Sequence, residues 1–101
     1  MSNESNIGHI MGWGRFLANN TPIIAKNVSV SYSTVGSYVI SINNSEISDG
    51  FAVFVTAHKS GGHSVTALVT SYYAATAYVE FRDINNALTD VTEFSVLVVG
   101  N

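Results

Sequence analysis

Phe94-Ser95-Val96-Leu97-Val98-Val99 is apolar on both of its faces. A strand throws successive side chains to opposite sides. Phe94, Val96 and Val98 therefore share one face, and Leu97 and Val99 share the other. A chain of 101 residues buries only about 60–65% of its unfolded surface, so covering both faces of such a strand unaided is hard. Another copy of the chain is the simplest cover. Phe51–Ala57 repeats the pattern, with Phe51, Val53 and Val55 on one face and Ala52 and Phe54 on the other. The residues expected at the interface of an obligate oligomer are thus Phe51, Val53, Phe94, Val96 and Val98.

Outward from these two strands, the rest of the sequence alternates in the same way. Val28, Val30 and Tyr32 oppose Ser29, Ser31 and Ser33; after Ser33-Thr34-Val35-Gly36, Tyr38, Ile40 and Ile42 oppose Ser37, Ser41 and Asn43. Two alternating runs joined by a short glycine-containing link predict a β-hairpin. Ile10–Leu17 reads as a strand with a bulge, and Pro22 is admissible at a strand start or edge because it donates no ladder bond. Further strands are expected over Ser64–Ser71 and Ala77–Arg82. In the latter, Glu80 and Arg82 share an exposed face and can pair. The 3.6-residue period of a helix is absent. Seven or eight short antiparallel strands with turn signals between them predict an all-β domain, a β-sandwich or jelly-roll-like fold. Residues 9–101 are expected to form that single domain, and residues 1–8 a flexible polar arm, mobile or swapped onto a neighbour.

Composition excludes several functions. Charged residues make up 11% of the chain, against about 25% in an average soluble domain. Thirteen Ser, eight Thr and ten Asn supply the polar surface instead. The net charge is −3, and the four cations Arg15, Lys26, Lys59 and Arg82 are scattered, so no nucleic-acid partner is expected. No apolar run approaches the roughly 18 residues of a membrane helix. There is no Cys, which excludes disulfides and thiolate metal sites. The first residues, Met1-Ser2-Asn3-Glu4-Ser5-Asn6, lack a basic-then-apolar signal pattern. The chain is expected to start in the cytoplasm of its producer and to leave by lysis or within a particle.

No catalytic signature is present. There is no Gly-x-Ser-x-Gly elbow, and serines are so numerous that any Ser/His/Asp triple is uninformative. The protein is expected not to be an enzyme, with no cofactor and no assigned metal. His58 and His63 flank Gly61-Gly62 and could approach each other across a loop, although two imidazoles are only the beginning of a metal site. Trp13, Tyr72 and Tyr73 are the aromatics expected to be exposed, since they lie beside glycines or in a connection. Aromatic faces stack on the apolar faces of sugars, while amides, carboxylates and hydroxyls bond sugar hydroxyls. The candidate ligand residues are therefore Trp13, His58, His63, Tyr72, Tyr73, Asp83 and Asn85, in loops 58–63, 72–76 and 83–92 apart from Trp13. Trp13 also suits a core or subunit-interface anchor. Tyr32, Tyr38, Phe51, Phe54, Phe81 and Phe94 follow strand alternation and are expected in the core.

Five segments carry a family resemblance: Trp13-Gly14-Arg15-Phe16, Asn27-Val28-Ser29-Val30-Ser31-Tyr32, Gly36-Ser37-Tyr38-Val39-Ile40-Ser41-Ile42, Phe51-Ala52-Val53-Phe54-Val55-Thr56 and Phe94-Ser95-Val96-Leu97-Val98-Val99-Gly100. Over residues 12–100 the chain resembles the C-terminal tip domain of bacteriophage and prophage tail-fibre and tail-spike proteins. The resemblance implies a homotrimeric, non-enzymatic virion module that binds a host-surface receptor, often a glycan. It departs from the family in carrying no His-x-His metal motif of the kind some fibres have. Two alternatives share the architecture: a purely structural virion domain for trimerisation or capsid decoration, and a small lectin-like carbohydrate-binding protein.

Overall fold

The computed structural model describes residues 9–43 and 50–100. The expected arm over residues 1–8 and most of the turn region between Asn43 and Gly50 lie outside the described residues. Among the described residues eight antiparallel strands form a β-sandwich: β1 (His9–Leu17), β2 (Pro22–Lys26), β3 (Val28–Thr34), β4 (Ser37–Ile42), β5 (Phe51–His58), β6 (Thr66–Tyr72), β7 (Thr76–Arg82) and β8 (Glu93–Gly100). One sheet, here sheet A, has the order β2-β1-β8-β5; the other, sheet B, has the order β3-β4-β7-β6. Both sheets are built around hairpins and closed by long-range pairing. In sheet A, β8 lies between β1 and β5, pairing Trp13 with Leu97 and Phe54 with Leu97 on its two sides.

The inner faces meet in one core. Met11, Phe16, Val53, Phe94, Val96 and Val98 come from sheet A, and Val28, Val30, Tyr38, Ile40, Ile42, Ala77, Val79 and Phe81 from sheet B. Val91, in the last loop, joins them. Near one end of the sandwich four rings interlock. Phe94 lies 5.6 Å from Phe16, 4.9 Å from Tyr38 and 5.2 Å from Phe81 between ring centroids. Such contacts add about 0.5–1.5 kcal/mol each beyond area burial. Two inward glycines make room in β1. A Cβ on Gly12 would stand 2.6 Å from Val28 Cγ2, and one on Gly14 would stand 2.7 Å from the Phe16 ring. The expected bulge in β1 falls between Ile10 and Gly12.

The seven expected strands are present, with β6 starting at Thr66 rather than Ser64, and β2 is an eighth; three corrections concern which faces are covered. Phe94, Val96, Val98 and Val53 are buried within a single chain, under sheet B, and so have no surface to give to a partner. Phe51 is half-buried and turns its ring against Tyr72 of its own chain, 5.3 Å away and edge-on. Phe54 and Tyr32, expected in the core, are 57% and 43% exposed. Phe54 lies on the opposite face of β5 from Val53, and Tyr32 sits on the edge strand β3, packed edge-on against Tyr38 with ring centroids 5.2 Å apart and open to the hollow beside Asn20 and Asp90. The apolar surface left open on β8 is its other side, Leu97 and Val99.

Candidate functional site

The loops sort into two ends. The first end carries the connections 18–21, 35–36, 59–65 and 83–92; the second carries the connection 73–75. Of the expected ligand residues, His63, Asp83 and Asn85 meet at the first end. They line an open cleft of about 500 Å³, together with Lys59, Gly62, Ser64 and Ile84. His58 stands at the rim of the same end, paired in register with Glu93. Tyr72 and Tyr73 lie at the second end, around a hollow of about 460 Å³ with Phe51 and Ala74. Trp13 belongs to neither, because it sits mid-strand on the outer face of sheet A. The seven residues therefore occupy three separate places.

Each wall of the cleft has a local cause. The first wall turns at Gly61 and Gly62, whose φ values of +90° and +72° fall in the left-handed region that glycine adopts at no steric cost. The His63 ring folds back over Gly61, leaving 3.1 Å between its Nε2 and the place a Cβ would take. The second wall is an Asx turn. Asp83 Oδ1 accepts the backbone N–H groups of Asn85 and Ala87 at 2.8 and 3.0 Å. Asn86, at φ +64°, closes the turn by donating its N–H to the Asp83 carbonyl at 2.9 Å. Arg82 then braces the loop, giving Nη1 to the Asn86 carbonyl at 2.8 Å and Nη2 to Glu80 at 2.8 Å. One oxygen of Asp83 is thus committed to shaping its own loop.

The two walls are joined beneath the cleft. The Thr92 hydroxyl accepts the Ser60 N–H at 2.7 Å and lies 3.0 Å from the Ser60 hydroxyl. The Thr92 N–H donates to the His58 carbonyl at 2.8 Å, and the Lys59 ammonium donates to the Thr89 hydroxyl. The long last loop is pinned in turn at Gly36. The Gly36 N–H donates to Asp90 Oδ1 at 2.9 Å, and its carbonyl accepts the Phe81 N–H at 2.8 Å. Gly36 has φ +70°, and a Cβ there would come within 2.8–2.9 Å of Thr89 and Phe81 backbone atoms. Tyr38 anchors the same end from inside, donating its hydroxyl to the Ala18 carbonyl at 2.5 Å. Burial, then the nearby Asp90 carboxylate and then Tyr32, push the Tyr38 hydroxyl up to about 12.

At the second end, Tyr72 is structural as well as exposed. Its hydroxyl oxygen accepts the Val53 N–H at 3.1 Å, which satisfies a donor on the open edge of β5. Lys59, Ser64 and Ile84 were not singled out by sequence reasoning as cleft residues. For Lys59 and Ile84 the only signal was membership of two loops that nothing in the chain's linear order brings together, and Ser64 was expected at the start of a strand. A further shallow hollow of about 420 Å³ at the first end, lined by Ala18, Asn19, Asn20, Tyr32 and Asp90, was likewise invisible. Among the described residues no group of three or more His, Cys, Asp or Glu gathers in metal-binding fashion. No family model, curated protein or solved structure matches the chain.

Proposed function

We propose that this chain is a non-enzymatic binding module of a virion, a homotrimeric tip of the tail-fibre type that takes a cell-surface glycan in the cleft between residues 59–64 and 83–85. The observation that carries the reading is the cleft's lining. Lys59, His63, Ser64, Asp83 and Asn85 offer charged, imidazole, hydroxyl and amide groups around the exposed side chain of Ile84. Hydrogen-bonding groups placed round an apolar contact are what a sugar ring requires, since it is polar at its edge and apolar on its face. The volume of about 500 Å³ lies within the usual range of roughly 300–1,000 Å³ for small-ligand sites. Braced walls favour affinity, because little conformational freedom is lost on binding.

An array of bacterial surface glycans probed with the purified protein tests this. Binding to a defined saccharide is expected, and His63→Ala and Asn85→Ala should each weaken it at least tenfold while leaving the fold intact. Silence across the array would overturn the glycan reading. Retained binding in both variants would move the site out of this cleft.

A further inference from the structure

We propose that copies of this chain pack on one another through the outer face of sheet A, with Trp13, Leu97 and Phe54 at the centre of the contact. This rests on the self-associating part of the function proposed above, and it assigns the face that carries it. Register places the three side chains in one row across adjacent strands, since Trp13 pairs with Leu97 and Leu97 with Phe54. They are 38%, 37% and 57% exposed. Val99, opposite Ala52, adds the next row, and Ile24 on β2 lies beside them at 53% exposure. Isolated exposed apolar residues are ordinary, but a contiguous patch of them marks an interaction surface.

The placement of charge favours a second copy as the occupant. On this face Arg15 and Glu93 neutralise each other within the chain, with Nη2 2.6 Å from Oε1. Lys26 lies at the end of the apolar row on the edge strand β2, and Ser95, Thr56 and His58 complete a polar border. The face therefore carries one positive charge at its margin and none at its centre. An identical face buries apolar against apolar at that uncharged centre and leaves Lys26 in the solvated margin, the anatomy of an interface with a dry centre and wet rim. In size the face is at the small end: four strands about 4.8 Å apart and ~7 residues long at ~3.3 Å per residue project about 440 Å², so two faces bring together ~900 Å² before side-chain relief is counted, which that relief raises towards the lower limit of ~1,000 Å² for a specific interface.

Light scattering after size exclusion, on the full chain and on single variants, tests the assignment. The unaltered chain is expected at a multiple of 10.8 kDa. Phe54→Asp and Leu97→Asp should reduce it to the single-chain mass with an unchanged far-ultraviolet spectrum. Tyr78→Asp, on the outer face of sheet B, should leave the multiple intact. A single-chain mass for the unaltered protein overturns both self-association and this face. If the unaltered protein instead bound anionic phospholipid vesicles and Phe54→Asp abolished that binding, the face would belong to a lipid surface and the proposal would fall. An oligomer that survives Phe54→Asp and Leu97→Asp overturns the face alone and leaves self-association standing.

Discussion

The outer faces of the two sheets contrast with each other. On sheet A the rows across the strands are Lys26–Trp13–Leu97–Phe54 and Ile24–Arg15–Ser95–Thr56. On sheet B they are Ser29–Ser41–Thr76 and Ser31–Val39–Tyr78, followed by Ser37–Glu80–Leu68. Apolar residues occur on both exteriors. Sheet B sets only Val39 beside Tyr78, between Ser31 and rows of hydroxyls and the Glu80–Arg82 pair, whereas sheet A runs Trp13, Leu97 and Phe54 side by side across three strands. Composition alone cannot separate the two. Register does, because register decides whether exposed apolar groups touch.

The strongest way to break this contrast is to confuse the inside of sheet A with its outside. Val98→Asp places a carboxylate on the covered side of β8, where burying an unpaired charge costs several kcal/mol. The expected result is an unfolded chain by denaturant titration, with a loss above about 4 kcal/mol. Leu97→Asp, one residue away, should remain folded. Equal stability in the two variants would contradict the burial of Val98 against sheet B.

Smaller effects sharpen the comparison at the end that carries the cleft. Gly36→Ala should cost about 2–3 kcal/mol, from a left-handed backbone and from a Cβ crowding Thr89 and Phe81. Its melting temperature should fall, and glycan affinity should fall with it as the last loop shifts. Tyr38 gives a pH signature. Its hydroxyl ionises near 10 in the unfolded chain and at about 12 in the folded one, so between these values the folded state holds more protons and stability falls as pH rises. Melting temperature should be flat with respect to this group below pH 10 and decline towards pH 12, and Tyr38→Phe should flatten the decline. The smallest effect is expected on the exterior of sheet B, where Ser31→Ala should change stability by less than about 0.5 kcal/mol in the same titration.

Much of the fold was legible in the linear pattern. The alternation over Val28–Tyr32 and Tyr38–Ile42 named the β3–β4 hairpin, and the partition of Phe94, Val96 and Val98 from Leu97 and Val99 was correct. Which side of β8 its own chain would cover was not legible, because alternation defines two faces without saying which meets the second sheet. Sheet B covers the Phe94 side, so the open side carries Leu97. Phe54 misled for the same reason. The candidate site was legible only in pieces. Asp83 and Asn85 sit in a recognisable turn and His63 after a Gly-Gly pair, but their meeting depends on Thr92 and Thr89 tying two distant loops together, and hydroxyls in a serine- and threonine-rich chain give no signal of their own.

The central place of β8 in sheet A bears on the order of assembly. The hairpins β1–β2, β3–β4 and β6–β7 close short loops and can form early. Sheet A stays in two fragments, β1–β2 and β5, until β8 pairs with both. That pairing joins residues as far apart in sequence as His9 and Gly100, an entropic cost met late. During synthesis, the edges of β1 and β5 that β8 will cover wait unpaired, which makes this sheet the part of the molecule most open to mispairing with other chains before it is complete.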